Sequence, residues 1–259
     1  ITNDGFPEII SMDMMPEDPY ILKRSLGEDE YNLFHFKIQH GYHSQFARNT
    51  LQLNRRNGLF TDVGFYSNVF ATDWSWAALW TDFDNDGWKD LFVSNGIPKR
   101  LNDMDYVNYV SNDELQEKIR ANRVSENDMA LIEKFPQIKL ANKFYLNKGE
   151  AKFVDAASMI RNNQKTYSNG SAYADFDNDG DMDMVVNNVD ETALIYKNLS
   201  NDGGVKKSFL ELKLKGSSTN INAIGTKAIV FTKNVQGTPF REVRTYEKFP
   251  VRGFQGSME

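Results

Sequence analysis

The chain has 259 residues, enough to bury a sizeable core in one large or two modest domains. A quarter of it is charged and 40% is hydrophobic, with a net charge of −6 and no basic stripe, which argues against a nucleic-acid binder built on phosphate neutralisation. Cysteine is absent, excluding disulfides and thiolate chemistry, and no apolar run reaches membrane-spanning length.

The first residues, Ile-Thr-Asn3-Asp4-Gly5-Phe-Pro-Glu8, read as an acidic loop entered partway. Two full copies of that loop follow, at Thr81-Asp-Phe-Asp-Asn-Asp-Gly-Trp-Lys-Asp90 and Ala174-Asp-Phe-Asp-Asn-Asp-Gly-Asp-Met-Asp183. Asp82, Asp84, Asp86 and Asp90 fill loop positions 1, 3, 5 and 9, as do Asp175, Asp177, Asp179 and Asp183. In the N-terminal copy Asn3, Asp4, Gly5 and Glu8 match positions 4, 5, 6 and 9. The expectation is that the chain starts inside a repeat, as a fragment of something longer, and that missing ligands weaken metal binding there.

Residues 12–50 are mixed. Met12 to Pro19 is rich in turn formers, and Tyr31 to Gln39 is read as a strand. His35, His40 and His43 lie close together; zinc is the sharp reading, but the spacing matches no known ligand pattern and ordinary hydrogen-bonding histidines are preferred.

From about Asn49 an internal repeat is visible. Asn54 and Asn147, Phe60 and Phe153, Asp62 and Asp155, and Asp82 and Asp175 are all separated by 93 residues. Each unit reads as strand, Asn/Gly turn, strand, a strand of small and aromatic residues, the acidic loop and a final strand. Four strands in about 50 residues have the size and rhythm of a propeller blade. The predicted class is all-β, a partial β-propeller with a helical insertion.

The acidic loops carry the chemistry. Carboxylates about 4 Å apart repel by about 4 kcal/mol at an effective dielectric of ~20, and a hard divalent cation converts that repulsion into binding. All-oxygen ligands suit Ca2+. The predicted metal ligands are Asp82, Asp84, Asp86, Trp88 and Asp90, then Asp175, Asp177, Asp179, Asp181 and Asp183; Trp88 and Asp181, at position 7, would contribute backbone carbonyls. Plain turns explain one Asp-Asn-Asp-Gly but not two copies both ending on Asp at position 9. An EF-hand wants glutamate at position 12, where this chain has Val93 and Val186, each within β-type sequence (Leu91-Phe-Val-Ser and Met184-Val-Val-Asn).

Between the repeats, about 98–137, Ser111-Asn-Asp-Glu114 reads as a capping box and Ser125-Glu-Asn-Asp128 opens a second helix, closed before Pro136. This excursion is read as a decorated loop on a blade rim, with a partner surface as the alternative. All four tryptophans fall between residues 74 and 88. Trp76 and Trp80 are expected to be buried between blades, while Trp74 or Trp88 offers a sugar-stacking alternative.

Beyond Leu194–Asn198 the pattern changes: Asn201-Asp-Gly-Gly204 is a turn, Phe209–Lys215 alternates as a half-buried strand, and Ala228–Phe231 is another strand. A second β-rich domain is read from about 205, giving units of 1–204 and 205–259.

The two acidic loops, with the Asn-x-Gly and Phe-x-Asp pattern before each, resemble FG-GAP/VCBS repeats of integrin-like propellers. Residues Leu212, Leu214, Gly216, Asn220, Ala223-Ile-Gly225, Gln236, Arg241-Glu-Val243 and Gly253-Phe-Gln-Gly-Ser257 resemble an ASPIC/UnbV domain. The combination is similar to the cartilage acidic protein family and its bacterial relatives. The resemblance implies a calcium-stabilised propeller, a secreted or cell-surface location, and adhesion or carbohydrate-binding roles toward a protein or glycan partner. Too few blades are visible to close a propeller, and the ASPIC/UnbV pattern stops early. A non-enzymatic calcium-binding module is the leading reading. A polysaccharide-acting hydrolase or lyase is the alternative, weakened because every evident carboxylate pair is already explained as metal ligands.

Overall fold

The computed structural model describes residues 1–133, 137–203, 207, 209, 210, 212–233 and 239–247. The fold is mostly β, with its described α-helices in two excursions and a short 3-10 turn at Ala157–Met159. β1 (Ile9–Ser11) precedes α1 (Pro19–Arg24) and α2 (Tyr31–Gln39). Then come β2 (Thr50–Asn54), β3 (Phe60–Asp62), β4 (Ser75–Thr81) and β5 (Asp90–Asn95). The second excursion holds α3 (Met104–Val110), α4 (Asp113–Arg120) and α5 (Glu126–Glu133). It returns to β6 (Lys143–Asn147), β7 (Phe153–Asp155), β8 (Ser168–Ala174), β9 (Asp183–Asn188) and β10 (Leu194–Tyr196), followed by β11 (Lys227–Lys233) and β12 (Pro239–Glu247). These strands form four antiparallel sheets, ordered β1-β2-β3, β4-β5-β6-β7, β8-β9-β10 and β11-β12.

The strand pairing groups the chain differently from the sequence reading. β2 and β3 pair with β1, whereas β4 and β5 pair with β6 and β7 from the next repeat unit. The sheet β4-β5-β6-β7 therefore starts at an acidic-loop hairpin and ends at an Asn/Gly hairpin. The helical excursion is an insertion between the two middle strands of one sheet.

β5 shows why this packing follows from sequence. Its six residues are buried throughout, and alternate side chains serve different cores. Leu91 and Val93 join Leu51, Val69, Tyr145 and Phe153 between the first two sheets. Phe92 joins Phe83, Phe144, Met184 and Val186 between the second and third. A strand covered on both faces needs an unbroken apolar run, which Leu-Phe-Val supplies. Gly96, at its end, has φ +136° and lets residues 166–168 approach, since an added Cβ would lie 2.6 Å from the Tyr167 Cα. β8 in turn approaches β4 and β5.

Several expectations are corrected. Tyr31–Gln39 is a helix: no strand pairs with it, and i,i+4 ring contacts between Tyr31 and His35 (4.2 Å) and between Phe36 and His40 (4.0 Å) support the helical turn. The turn-rich passage before it ends in a helix, because Asp18 accepts from the Tyr20 and Ile21 N–H groups and Pro19 fits the first turn. Phe209–Lys215 shows no strand among its described residues. Phe209, Leu210 and Leu212 are exposed, since alternation yields a half-buried strand only where a sheet edge receives it. Trp76 is half exposed, its indole N–H donating to the Gly96 carbonyl at 2.7 Å, whereas Trp80 packs against Phe153.

In the insertion, the cap of α4 is Asn112, which accepts from the Glu114 N–H at 2.9 Å, not Ser111. Ser125 and Asp128 do cap α5 reciprocally, the Ser125 N–H donating to Asp128 at 2.9 Å. The predicted stop before Pro136 lies outside the described residues. Asn112→Ala should therefore cost about 1 kcal/mol in urea unfolding. Ser111→Ala should cost clearly less.

Candidate metal centre

Each full acidic loop connects two antiparallel strands, β4 to β5 and β8 to β9, and the N-terminal copy leads into β1. All three share one backbone course. Position 4 is left-handed in Asn3 (φ 55°), Asn85 (53°) and Asn178 (59°), and so is position 6 in Gly5 (85°), Gly87 (95°) and Gly180 (90°). Asparagine and glycine are the residues for which that region costs least, which explains the Asn-x-Gly core of the motif.

The hydrogen bonds repeat as well. The position 1 carboxylate accepts the N–H groups of positions 5 and 6: Asp82 from Asp86 (2.9 Å) and Gly87 (2.7 Å), Asp175 from Asp179 (3.1 Å) and Gly180 (3.0 Å). Position 5 accepts from position 7 in every copy, at 2.8 Å for Asp4, 2.8 Å for Asp86 and 3.0 Å for Asp179. Position 9 accepts from the position 2 nitrogen: Glu8 from Ile1 (2.8 Å), Asp90 from Phe83 (3.0 Å) and Asp183 from Phe176 (2.9 Å).

Within this frame, oxygens of Asp82, Asp84 and Asp86 converge to within 4.8 Å of one another, as do those of Asp175, Asp177 and Asp183. A further group joins Asp177 and Asp179 to Asp202. Burial pushes Asp82 up to about 6, with the neighbouring Asp86 and Asp84 charges adding to the shift. Burial likewise raises Asp90 to about 7 and Asp181 to about 6. Asp179 Oδ2 and Asp181 Oδ1 are buried without a hydrogen-bond partner. Desolvated, mutually repelling carboxylates are costly unless a cation accompanies them.

Not every predicted ligand joins a converging group. Asp90 is fully buried, with both oxygens committed to backbone, Oδ1 accepting the Asn147 N–H at 2.9 Å. The Asp181 side chain turns inward, its Oδ2 accepting from the Asn201 N–H at 2.9 Å, and Trp88 is half-buried in the loop; the ligand expected of both is a backbone carbonyl, not the side chain. In the N-terminal copy the Arg56 guanidinium binds Asp4, so the protein supplies its own cation there. His35, His40 and His43 are exposed and enter no candidate metal group among the described residues.

Three residues escaped sequence reasoning. Asp202 was absorbed into an Asn-Asp-Gly-Gly turn. Lys197 bridges Asp177 (2.8 Å) and Asp202 (2.9 Å), holding Asp177 below the usual carboxylate range. Asn198 repeats Asn147: both donate their N–H to a position 9 carboxylate and cap the residue two further on. The match of Tyr196-Lys-Asn198 to Tyr145-Leu-Asn147 carried the signal, hidden because the spacing is 51 residues rather than 93.

Neither a scan of protein-family models nor a search of curated proteins finds a match to this chain. The donor set stands on its own chemistry: oxygen only, several carboxylates per loop, in a hairpin turn. That set fits a hard divalent cation with a flexible oxygen shell, which would neutralise the loop and hold its backbone.

Proposed function

We propose that the chain is a calcium-stabilised, non-enzymatic interaction module with FG-GAP/VCBS-type blades and an ASPIC/UnbV-like C-terminal part. The observation that carries this reading is the convergence of Asp82, Asp84 and Asp86, and of Asp175, Asp177 and Asp183, in loops of one shared backbone course. Calcium is the chemistry such loops favour, because it tolerates an irregular shell of carboxylate and carbonyl oxygens. Three sheets stacked in chain order over two cores support the propeller reading. In that arrangement calcium fixes the hairpins, and the face they frame binds a protein or glycan outside the cell. No described helix is long and apolar enough to cross a membrane.

Competition with a calcium-indicator chelator tests the two sites separately. Asp84→Ala and Asp177→Ala should each remove one of two bound equivalents. A variant that still binds both equivalents would remove its loop from the account.

A further inference from the structure

The acidic loops are joined to each other by partly buried hydrogen bonds that recur in register. The Asn198 N–H donates to Asp183 at 2.8 Å, and its side-chain amide donates to the Phe83 carbonyl at 2.7 Å and the Met182 carbonyl at 3.2 Å. Phe83 lies in the preceding loop, where its N–H binds Asp90 at 3.0 Å. Asn147 repeats the pattern one sheet earlier. Its N–H donates to Asp90 at 2.9 Å, and its amide donates to the Ile1 and Lys89 carbonyls, both at 3.0 Å. The position 9 carboxylates of consecutive loops thus belong to one chain: Asp183, Asn198, Phe83, Asp90, Asn147, Ile1, Glu8. Asp90, Asn147 and Asp183 are at most 3% exposed and Phe83 is 7% exposed, while Asn198 is half-buried.

A second stitch runs alongside. The left-handed Asn3 donates its amide to the Gly87 carbonyl at 2.9 Å, and Asn85 donates to the Gly180 carbonyl at 3.1 Å. Asn85 lies between the converging carboxylates Asp84 and Asp86, while the Gly180 N–H is held by Asp175 at 3.0 Å. Fixing the first full loop therefore fixes the amide that holds the turn of the second.

We propose that the two full loops bind cations cooperatively, Asn85 and Asn198 carrying the coupling. This rests on the calcium reading above. An ion in one loop orders the backbone that the stitches share, so the second ion meets a loop already partly ordered and loses less conformational freedom on binding. The contiguous hydrogen-bonded path supplies the physical link.

The test is a thermodynamic cycle with calcium alone as the probe. Emptying the first loop with Asp84→Ala should weaken the second loop by about 5-fold or more, within the usual range of coupling between sites. Emptying the second with Asp177→Ala should weaken the first by the same factor, read independently from Trp88 emission, because coupling is reciprocal. Introducing Asn85→Gly together with Asn198→Ala and Ser200→Ala, since the Ser200 hydroxyl also donates to the Phe83 carbonyl at 3.2 Å, should abolish both effects. Asn85→Gly alone, which suits the left-handed backbone, should reduce them while leaving the calcium-free melting temperature near the wild-type value. Unchanged second-loop affinity in Asp84→Ala, or a loss that persists after both stitches are cut, overturns the coupling while leaving two calcium sites. No calcium binding by the wild-type chain overturns the calcium reading itself, and the coupling with it.

Discussion

Asp90→Ala should destabilise the protein by about 2–5 kcal/mol, in chelator as well as in calcium. The carboxylate is fully buried and accepts the Phe83 N–H at 3.0 Å and the Asn147 N–H at 2.9 Å. Alanine leaves two buried backbone donors without an acceptor, each worth about 1–3 kcal/mol. One effect works the other way: burial has already raised Asp90 to about 7, so removing the carboxylate relieves some desolvation and repulsion from Asp84 and Asp86. The lost acceptors dominate because both connect separate segments, the loop to itself and β5 to the end of β6. Asp84→Ala is the informative contrast. Its oxygen accepts the Asp86 N–H within the half-exposed loop, so its loss should matter chiefly when calcium is present. Urea unfolding of both variants, with and without calcium, separates a structural carboxylate from a ligand. Equal behaviour of the two in chelator would contradict this division.

Calcium itself should produce the second large effect. At free ion about 100 times the dissociation constant, each site adds about 2.7 kcal/mol, so two sites add roughly 5 kcal/mol. For a chain of this size that corresponds to a rise in melting temperature of roughly 10–20 °C. The pH dependence sharpens the test. Asp82, Asp90 and Asp181 are raised to about 6, 7 and 6 in the folded chain, against about 3.9 when unfolded. Between pH ~4 and ~7 the folded state thus holds more protons at these groups than the unfolded state. Their contribution to stability is greatest at the acid end and is lost as pH rises through that window. In chelator, the melting temperature should therefore fall from pH 5 to pH 8. Saturating calcium holds Asp82 ionised as a ligand and should flatten the slope. A chelated protein that gains stability over the same range would contradict the electrostatic account.

Much of the local architecture was legible because it depends on few residues. Asp-Asn-Asp-Gly places Asn and Gly where the backbone turns left-handed, and Leu91-Phe-Val93 reads directly as a strand covered on both faces. Features set by distant partners were not legible. Nothing near Asn54 or Asn147 reveals that a sheet begins at an acidic loop and closes with strands from the next unit, because that phase is decided by which apolar faces meet. The strand-like alternation of Phe209–Lys215 pairs with no strand among the described residues, and Tyr31–Gln39 takes the helix its i,i+4 aromatic pairs allow. Within the site, the acidic positions were visible, but the division of labour among them was not. Asp90 and Asp183 carry the same letter at the same position. Yet only Asp183 has an oxygen in a converging group among the described residues, although both carboxylates accept the same pair of backbone N–H groups.

The most direct measurement is a calorimetric titration of the metal-free chain with calcium at pH 7.5. The account predicts saturable heat with a stoichiometry near two, and a melting temperature that rises with free calcium and returns to its starting value in excess EDTA. No heat and no shift would mean that the two Asp-Asn-Asp-Gly hairpins are turns held by their own hydrogen bonds, and the calcium-stabilised reading would be wrong.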